Sequence, residues 1–508
     1  MALPTLPNLN RRRFLIGGSV LGLAAGLPGH RFMDSAAAET PRPAVPGAAW
    51  DKLADKLAGP LLRKGDRAFT RFATPFNLAY AQIEPGGIAV CFTAEDVKTA
   101  IAWARENEVP LVARSGGHSY AGYSTTTGLM IDVSSMRWAN RNGPDLLTVG
   151  SGSRNSDLYA ALRALNRTTT HGRCPTVGIA GFLLGGGIGF NMRRLGIASD
   201  HLIATDIVLA DGSFRSIAAD RDGDLFWACR GGGGGNFGIN TSFTIRTFPA
   251  QRVSVFRYDW QGTAGEIVAV ADILMQTLTD APAAFGSRFS LRPPNRMAGG
   301  DKFSLNLIGQ YGGPATFILR LMRAAERAAP LSHHELYELD YWDGQDFLAE
   351  HDGPFRFHER SLFLSKPLSH DDLVKAAEYL AQWKGTRNPH QLADLRFFQT
   401  GGQINKIAAS ETAFVHRDSV WLMDIGLPWS ASDPEEVVNQ NIAWQNAFYE
   451  AVLSFGNGHA YQNFIDPALK DFAAAYYGGN LGKLARIKAK YDPDSLFHFP
   501  QSVPSAAP

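Results

Sequence analysis

Gly172-Arg173-Cys174-Pro175-Thr176-Val177-Gly178, running on to Leu184-Gly185-Gly186-Gly187-Ile188-Gly189, is the stretch that decides how this chain is read. An earlier one, Arg114-Ser115-Gly116-Gly117-His118-Ser119-Tyr120-Ala121-Gly122, complements it. The first offers a nucleophilic thiol and the second an imidazole, each in a glycine-rich loop. Backbone without Cβ atoms can press against a planar or phosphorylated ligand and turn its N–H groups toward it. One such loop is weak evidence. Two in order point to a cofactor held at two places on one ring.

Other nucleotide signatures fail. Gly187-x-Gly189 is followed by Met192 where the dinucleotide fingerprint needs glycine. Gly478 to Lys483 has the look of a phosphate loop, but its glycine spacing is one residue short and Leu484 replaces the Ser/Thr.

At 508 residues the chain exceeds the usual size of one core, so two or more domains are expected. Charged residues at 19% and aromatics at 11% fit a globular enzyme, not a disordered or fibrous chain. A formal net charge of +1 gives nucleic acid no support as a partner.

Residues 1–38 are set aside as an export signal. Asn10-Arg11-Arg12-Arg13-Phe14-Leu15-Ile16 leads into an apolar run, Ile16 to Leu27, too short to span a bilayer. Ala36-Ala37-Ala38 supplies small residues for cleavage, and the arginine-Phe-Leu pattern resembles a twin-arginine signal. This implies the twin-arginine machinery as a partner, a periplasmic or secreted location, and no stable membrane association after cleavage. That machinery carries folded proteins, which suits a chain that must take up its cofactor before crossing.

Three cysteines make no disulfide framework. Cys91 and Cys229 sit in apolar runs and read as core thiols, whereas the glycine, arginine and proline around Cys174 make no packed core. His333-His334 has no companion at metal-ligand spacing, and no metal is expected.

The periodicity predicts an α+β protein. Strands are expected at 90–93, 110–114, 129–133 and 146–149, with helices over 95–107 and 155–166, the latter capped by Asn155 or Ser156. Asp211-Gly212 joins strands 202–210 and 213–217 in a hairpin, and five glycines, 231–235, precede a strand ending at Thr247. From 251 to 455, strands at 253–260, 303–311, 397–405 and 420–427 alternate with helices at 314–328, 370–384 and 434–454. That stretch reads as an antiparallel sheet backed by helices. Two short helices and glycine-bearing loops follow. The expected division is 39–250, 251–455 and a C-terminal segment, 456–508, returning to the first part.

These motifs resemble the berberine-bridge-type FAD-linked oxidases, within the group that binds FAD as vanillyl-alcohol oxidase does. The matching elements include Arg114 to Ser119, Cys174 to Gly178 and Leu184 to Gly189. Asp224-Leu225-Phe226-Trp227 and Arg230 through the glycines to Asn236-Phe237-Gly238 follow. Tyr461-Gln462-Asn463-Phe464-Ile465-Asp466 and Tyr491-Asp492-Pro493 close the set. The resemblance covers nearly the whole chain after residue 38. It implies a two-part FAD-binding domain and a separate substrate domain.

It also implies that FAD is bonded twice, by His118 to the 8α-methyl and by Cys174 to C6 of the isoalloxazine ring. Arg114, Ser115, Gly116, Gly117, Ser119, Val177, Gly178, Gly181, Gly185, Gly186, Gly187, Gly189, Gly238, Ile239 and Asn463 would surround the flavin. Tyr461 is the candidate base. A free phenol titrates near ~10, so its neighbours must tune it. Gln403 and Asn405, alternating on an expected strand, are candidate substrate contacts. Several members carry an acid where this chain has Asn405, and an amide is no base. Plant members have a tyrosine at Ile188, so Tyr461 lacks that partner. Val177 matches the family's oxygen-gating position, where a small side chain leaves room for O₂. His416-Arg417 fits the family pattern as support for the sheet.

The implied activity is oxidation of an alcohol on a small molecule, a sugar or oligosaccharide before a secondary metabolite, with O₂ as acceptor and H₂O₂ as product. A dehydrogenase using another acceptor, or a flavin-binding protein without catalysis, are the alternatives; Asn405 and Ile188 keep the last one open.

Overall fold

Gly87 opens the first core strand because the Trp50 ring occupies the space a side chain would need; a Cβ there would meet Trp50 Cζ3 at 2.5 Å. The strand is therefore Gly87–Val90, earlier than the apolar run at 90–93 predicts. The computed structural model describes residues 45–506; the expected export signal lies outside the described residues.

Gly87–Val90, Leu129–Asp132 and Leu111–Arg114 run parallel, with Leu61–Leu62 antiparallel at one edge. Helix Ala94–Glu106 covers them, closed at its start by a Thr93/Asp96 capping box. Its Val97, Ala100, Ile101 and Ala104 form one core with Ala89, Leu111, Leu129 and Ile131. The carboxyl end of Leu111–Arg114 leads straight into the His118 loop, the side of a parallel sheet where ligands bind.

A five-stranded antiparallel sheet follows, in the order Ala139–Arg141, Leu146–Gly150, Ile239–Arg246, Leu202–Val208, Phe214–Ala218. The predicted hairpin is there, with Gly212 at φ +82°. Helix Asn155–Ala164 takes Arg154 as its N-cap, not Asn155 or Ser156. The reason lies in the neighbouring loop: Asn155 N–H donates to Val177 O and Ser156 N–H to Pro175 O, both at 2.9 Å. The start of this helix is satisfied by the Cys174 loop together with Asp157, whose Oδ2 accepts from Arg154 N–H at 2.8 Å.

The third sheet has seven antiparallel strands: Leu331–Leu339, Val253–Gly262, Phe303–Tyr311, Phe285–Arg292, Asp394–Gln399, Trp421–Trp429, Arg356–Leu364. Ala264–Thr279, Ala315–Ala328, His370–Leu380 and Glu435–Val452 join its core through Leu274, Ile318, Leu373 and Phe448. The strand expected over 397–405 stops at Gln399. Gly401 at φ +81° and Gly402 at φ +64° turn the chain into a 3₁₀ helix, Gly402–Lys406.

The C-terminal helices Phe472–Tyr477 and Leu481–Tyr491 pack into the core built by 147–245. Lys488, fully buried, pairs with Asp492 at 2.6 Å and donates to Asn236 O at 2.7 Å and Phe497 O at 2.6 Å. These bonds fasten the end of the glycine run to the C-terminal segment.

Candidate active site

One cavity of about 730 Å³ gathers the two glycine loops, the C-terminal motif and the seven-stranded sheet. Arg114 reaches it from its strand. Nε donates to Ser124 O at 2.9 Å, and Nη1 to the carbonyls of Phe72 at 2.5 Å and Ala73 at 2.9 Å. Burial lowers its pKa to about 10, against the pull of Asp132. Its buried Nη2 has no hydrogen-bond partner among the described residues.

The two loops cross at Gly116 and Gly178. A Cβ on either would come within 2.3 Å of the other's backbone nitrogen, so only glycine permits the approach. Ser115 Oγ donates to Ser151 O at 2.6 Å, and Ser119 Oγ accepts from Tyr123 N–H at 3.0 Å. Gly117 takes φ +70°.

The crossing brings His118 and Cys174 to a single hydroxyl. His118 Nε2 lies 2.9 Å and Cys174 Sγ 3.2 Å from Thr176 Oγ1. Phe76 stacks on the imidazole at 3.8 Å. Burial, with the charge of Arg154 second, lowers the His118 pKa to about 3, so the ring is neutral and nucleophilic at physiological pH. Asn155 Nδ2 holds Cys174 O at 3.0 Å.

Tyr461 lies in the cavity wall, 1% exposed. Its Oη accepts from Gly187 N–H at 3.0 Å and Asn463 Nδ2 at 3.2 Å. Burial pushes its pKa up to about 12, and these donors, with the N–H of Ile188, pull the other way by favouring the phenolate.

Of the residues expected around a flavin, Arg114 through Ser119, Cys174, Val177, Gly178, Gly181, Gly189, Gly238, Ile239, Asn463 and Tyr461 line the cavity. Gly185, Gly186 and Gly187 do not. A Cβ on Gly185 would strike Asn463 Oδ1 at 2.0 Å, one on Gly186 would meet Phe414 at 2.8 Å, and one on Gly187 would crowd Ala198 and Phe182 at 2.7 Å. This glycine run packs under Tyr461 and Asn463. Gln403 and Asn405 are also misplaced by the sequence reading. The 3₁₀ helix removes the shared strand face, Asn405 is exposed with Nδ2 donating to Ser419 O at 3.0 Å, and neither residue lines the cavity.

The face of the cavity formed by the seven-stranded sheet carries charges that the sequence reading passed over. Phe285–Arg292 alternates, with Phe289 and Leu291 in the core and Arg288 and Arg292 on the cavity. That period-2 pattern was available in the sequence, masked by its glycine and serines. Asp394, Arg396 and Phe398 do the same on the next strand. Arg396 donates to Asp394 Oδ1 at 2.9 Å and Glu359 Oε1 at 2.6 Å, with Asp424 Oδ2 at 3.4 Å. Burial opposes its charge, but the carboxylates of Asp394, Glu359 and Asp424 raise its pKa overall. Arg173 contacts Glu350 at 2.8 Å and, as the leading cause, helps hold that carboxyl down at about 2. Arg288 Nε is buried without a partner among the described residues. Donors and acceptors therefore alternate along this wall.

Comparison with known proteins follows the same lines. Residues 85–218 match the model of the FAD binding domain and 460–504 that of the berberine and berberine-like segment. The FAD-linked oxidoreductase YvdP of Bacillus subtilis (strain 168) is 30% identical over 459 residues, 88% of this chain and 98% of its own length. This chain belongs to the berberine-bridge-enzyme-like FAD-linked oxidoreductases. Glucooligosaccharide oxidase of Sarocladium strictum is 29% identical, covering 84% of this chain and 88% of its own. A solved structure of glucooligosaccharide oxidase from Acremonium strictum, described with a 6-S-cysteinyl, 8α-N1-histidyl FAD, superposes with a TM-score of 0.81. It is 25% identical and covers 91% of this chain and all of its own.

Berberine-bridge-type membership makes FAD the ligand to test against the cavity, and the residues fit it. Gly181 has open space where a Cβ would stand, Arg114 Nη2 is an unspent donor, and a neutral imidazole and a thiol sit side by side. His416 and Arg417, which the sequence assigns to support, lie behind this wall. Arg417 Nη1 and Nη2 hold Asp200 at 2.9 and 2.7 Å, both side chains buried, and His416 Nε2 lies 3.0 Å from Gln462 Oε1. Asp200→Ala leaves a buried guanidinium unpaired and is expected to lower unfolding free energy by about 3–5 kcal/mol, read from denaturant unfolding.

Proposed function

We propose that this protein is an oxidase that converts an alcohol group of a small hydroxyl-rich molecule, a sugar or oligosaccharide first, into a carbonyl. O₂ is the electron acceptor and H₂O₂ the product. His118 and Cys174 both bond the flavin. The observation that carries this reading is the convergence of those two nucleophiles, both lining the cavity, on one hydroxyl.

FAD, when bound, supplies the two-electron acceptor that takes hydride from the carbinol carbon and yields the electrons to O₂. This chain's residues do the rest. Tyr461 Oη takes the proton of the substrate hydroxyl, and the N–H groups of Gly187 and Asn463 stabilise the phenolate form that can accept it. Arg396, Arg292, Asp394 and Glu359 offer both donors and acceptors, which suits a ligand whose hydroxyls do both. Val177, half-buried on the cavity, keeps room for O₂. Residues 39–250 and 456–508 are the flavin-holding part, and 251–455 supplies the substrate wall. Export through the twin-arginine route to the periplasm or beyond rests on Arg11-Arg12-Arg13-Phe14-Leu15.

Two measurements test this. Peroxide release across a panel of mono- and oligosaccharides and phenolic alcohols should single out sugars; turnover with a dye acceptor but not O₂ would contradict the oxidase. Val177→Leu should slow reoxidation of the reduced enzyme by O₂ about tenfold, roughly 1.4 kcal/mol of barrier, while anaerobic reduction by sugar stays the same.

A further inference from the structure

We infer that Thr176 is a positioning residue that prepares both nucleophiles for flavin attachment at once. The inference rests on the proposed double bonding of FAD. Thr176 is exposed and lies outside the cavity lining, so it approaches His118 and Cys174 from the solvent side. Its Oγ1 is within hydrogen-bond distance of both reactive side chains, 2.9 Å from Nε2 and 3.2 Å from Sγ.

A hydroxyl has one proton to give and lone pairs to receive. A neutral imidazole has one N–H, and the hydrogen bond at one nitrogen fixes the state of the other. With Oγ1 accepting from Nε2–H, the His118 lone pair is on Nδ1, which has no hydrogen bond among the described residues. The same oxygen's proton then points to Cys174 Sγ and stabilises the thiolate, the nucleophilic form of cysteine. One side chain thus sets the tautomer of the imidazole and the charge of the sulfur. The loop geometry holds this arrangement: Asn155 Nδ2 grips Cys174 O, and Asn155 and Ser156 N–H grip the carbonyls of Val177 and Pro175 on either side of Thr176.

Each attachment exchanges one C–H of FAD and one N–H or S–H of the protein for a C–N or C–S bond. The two protons and two electrons released pass to O₂, giving one H₂O₂ per bond. When His118 bonds through Nδ1, the proton on Nε2 must leave, and the Thr176 hydroxyl conducts it to solvent.

Wild type, Thr176→Val, Thr176→Ala and Thr176→Ser, produced in riboflavin-poor medium, are given FAD in air, sampled over time and unfolded in acid. Covalent flavin is read by mass on the peptides containing residues 118 and 174. The inference expects Val and Ala to slow attachment about tenfold or more at both peptides, with melting temperature unchanged, and Ser to restore it. Attachment at the wild-type rate in Val and Ala, a defect at one peptide only, or failure of Ser to rescue would each overturn it. Wild type with no covalent flavin at either residue is a separate result, which would overturn the double-bonding reading and this inference with it.

Discussion

Tyr461→Phe is expected to slow substrate-driven flavin reduction by roughly 10²–10⁴-fold, the range for losing a positioned general base. The Tyr461 oxygen combines burial, placement on the cavity and two N–H donors aimed at it. The replacement removes only that oxygen. Phe363 and Phe414, whose rings meet Tyr461 edge-on at 6.2 and 6.3 Å, would pack against phenylalanine equally well. Flavin content should therefore stay at the wild-type level. The pH dependence carries its own signature. Burial holds the phenol at about 12, and the phenolate is the form that accepts a proton, so reduction should speed up as pH rises through 8, 9 and 10. The phenolate fraction grows about tenfold per unit over that range. Stopped-flow absorbance under anaerobic conditions reads both effects. A near-normal rate in the Phe variant, or a wild-type rate that falls with rising pH, removes Tyr461 from the base role.

The second large effect concerns retention of the cofactor. His118→Ala and Cys174→Ala should each leave flavin attached through the remaining residue, and the double variant should lose all covalent flavin on denaturation. The single variants differ in a further way. Removing the imidazole also deletes its stacking with Phe76 and its bond to Thr176, so the His118 variant should take up less flavin than the Cys174 variant. Gel filtration followed by flavin absorbance distinguishes them. Equal flavin content in wild type and double variant after unfolding would contradict the assignment of either residue.

The loops were legible in the sequence because their constraint is local: two glycine runs, one histidine, one cysteine, in order. The parallel strands and the long helices were legible for the same reason, being set by period and caps. Most of what failed depended on neighbours distant in sequence. The cap of helix Asn155–Ala164 could not be read locally, because the Cys174 loop satisfies its N–H groups. Gly185, Gly186 and Gly187 looked like ligand-facing glycines, yet the side chains of Asn463 and Phe414 claim that space from far along the chain. Gln403 and Asn405 were placed on a strand face because nothing in the apolar pattern announced that two left-handed glycines would end the strand. The charged wall on the seven-stranded sheet was overlooked because Arg288, Arg396 and Glu359 come together only when four strands pair in the sheet.

The most direct measurement is the mass of the denatured wild-type protein. The account predicts one species heavier than the polypeptide by a single FAD less the hydrogens lost in forming two bonds, with the yellow colour remaining in the acid precipitate. Bare polypeptide mass, with all flavin in the supernatant, would contradict it.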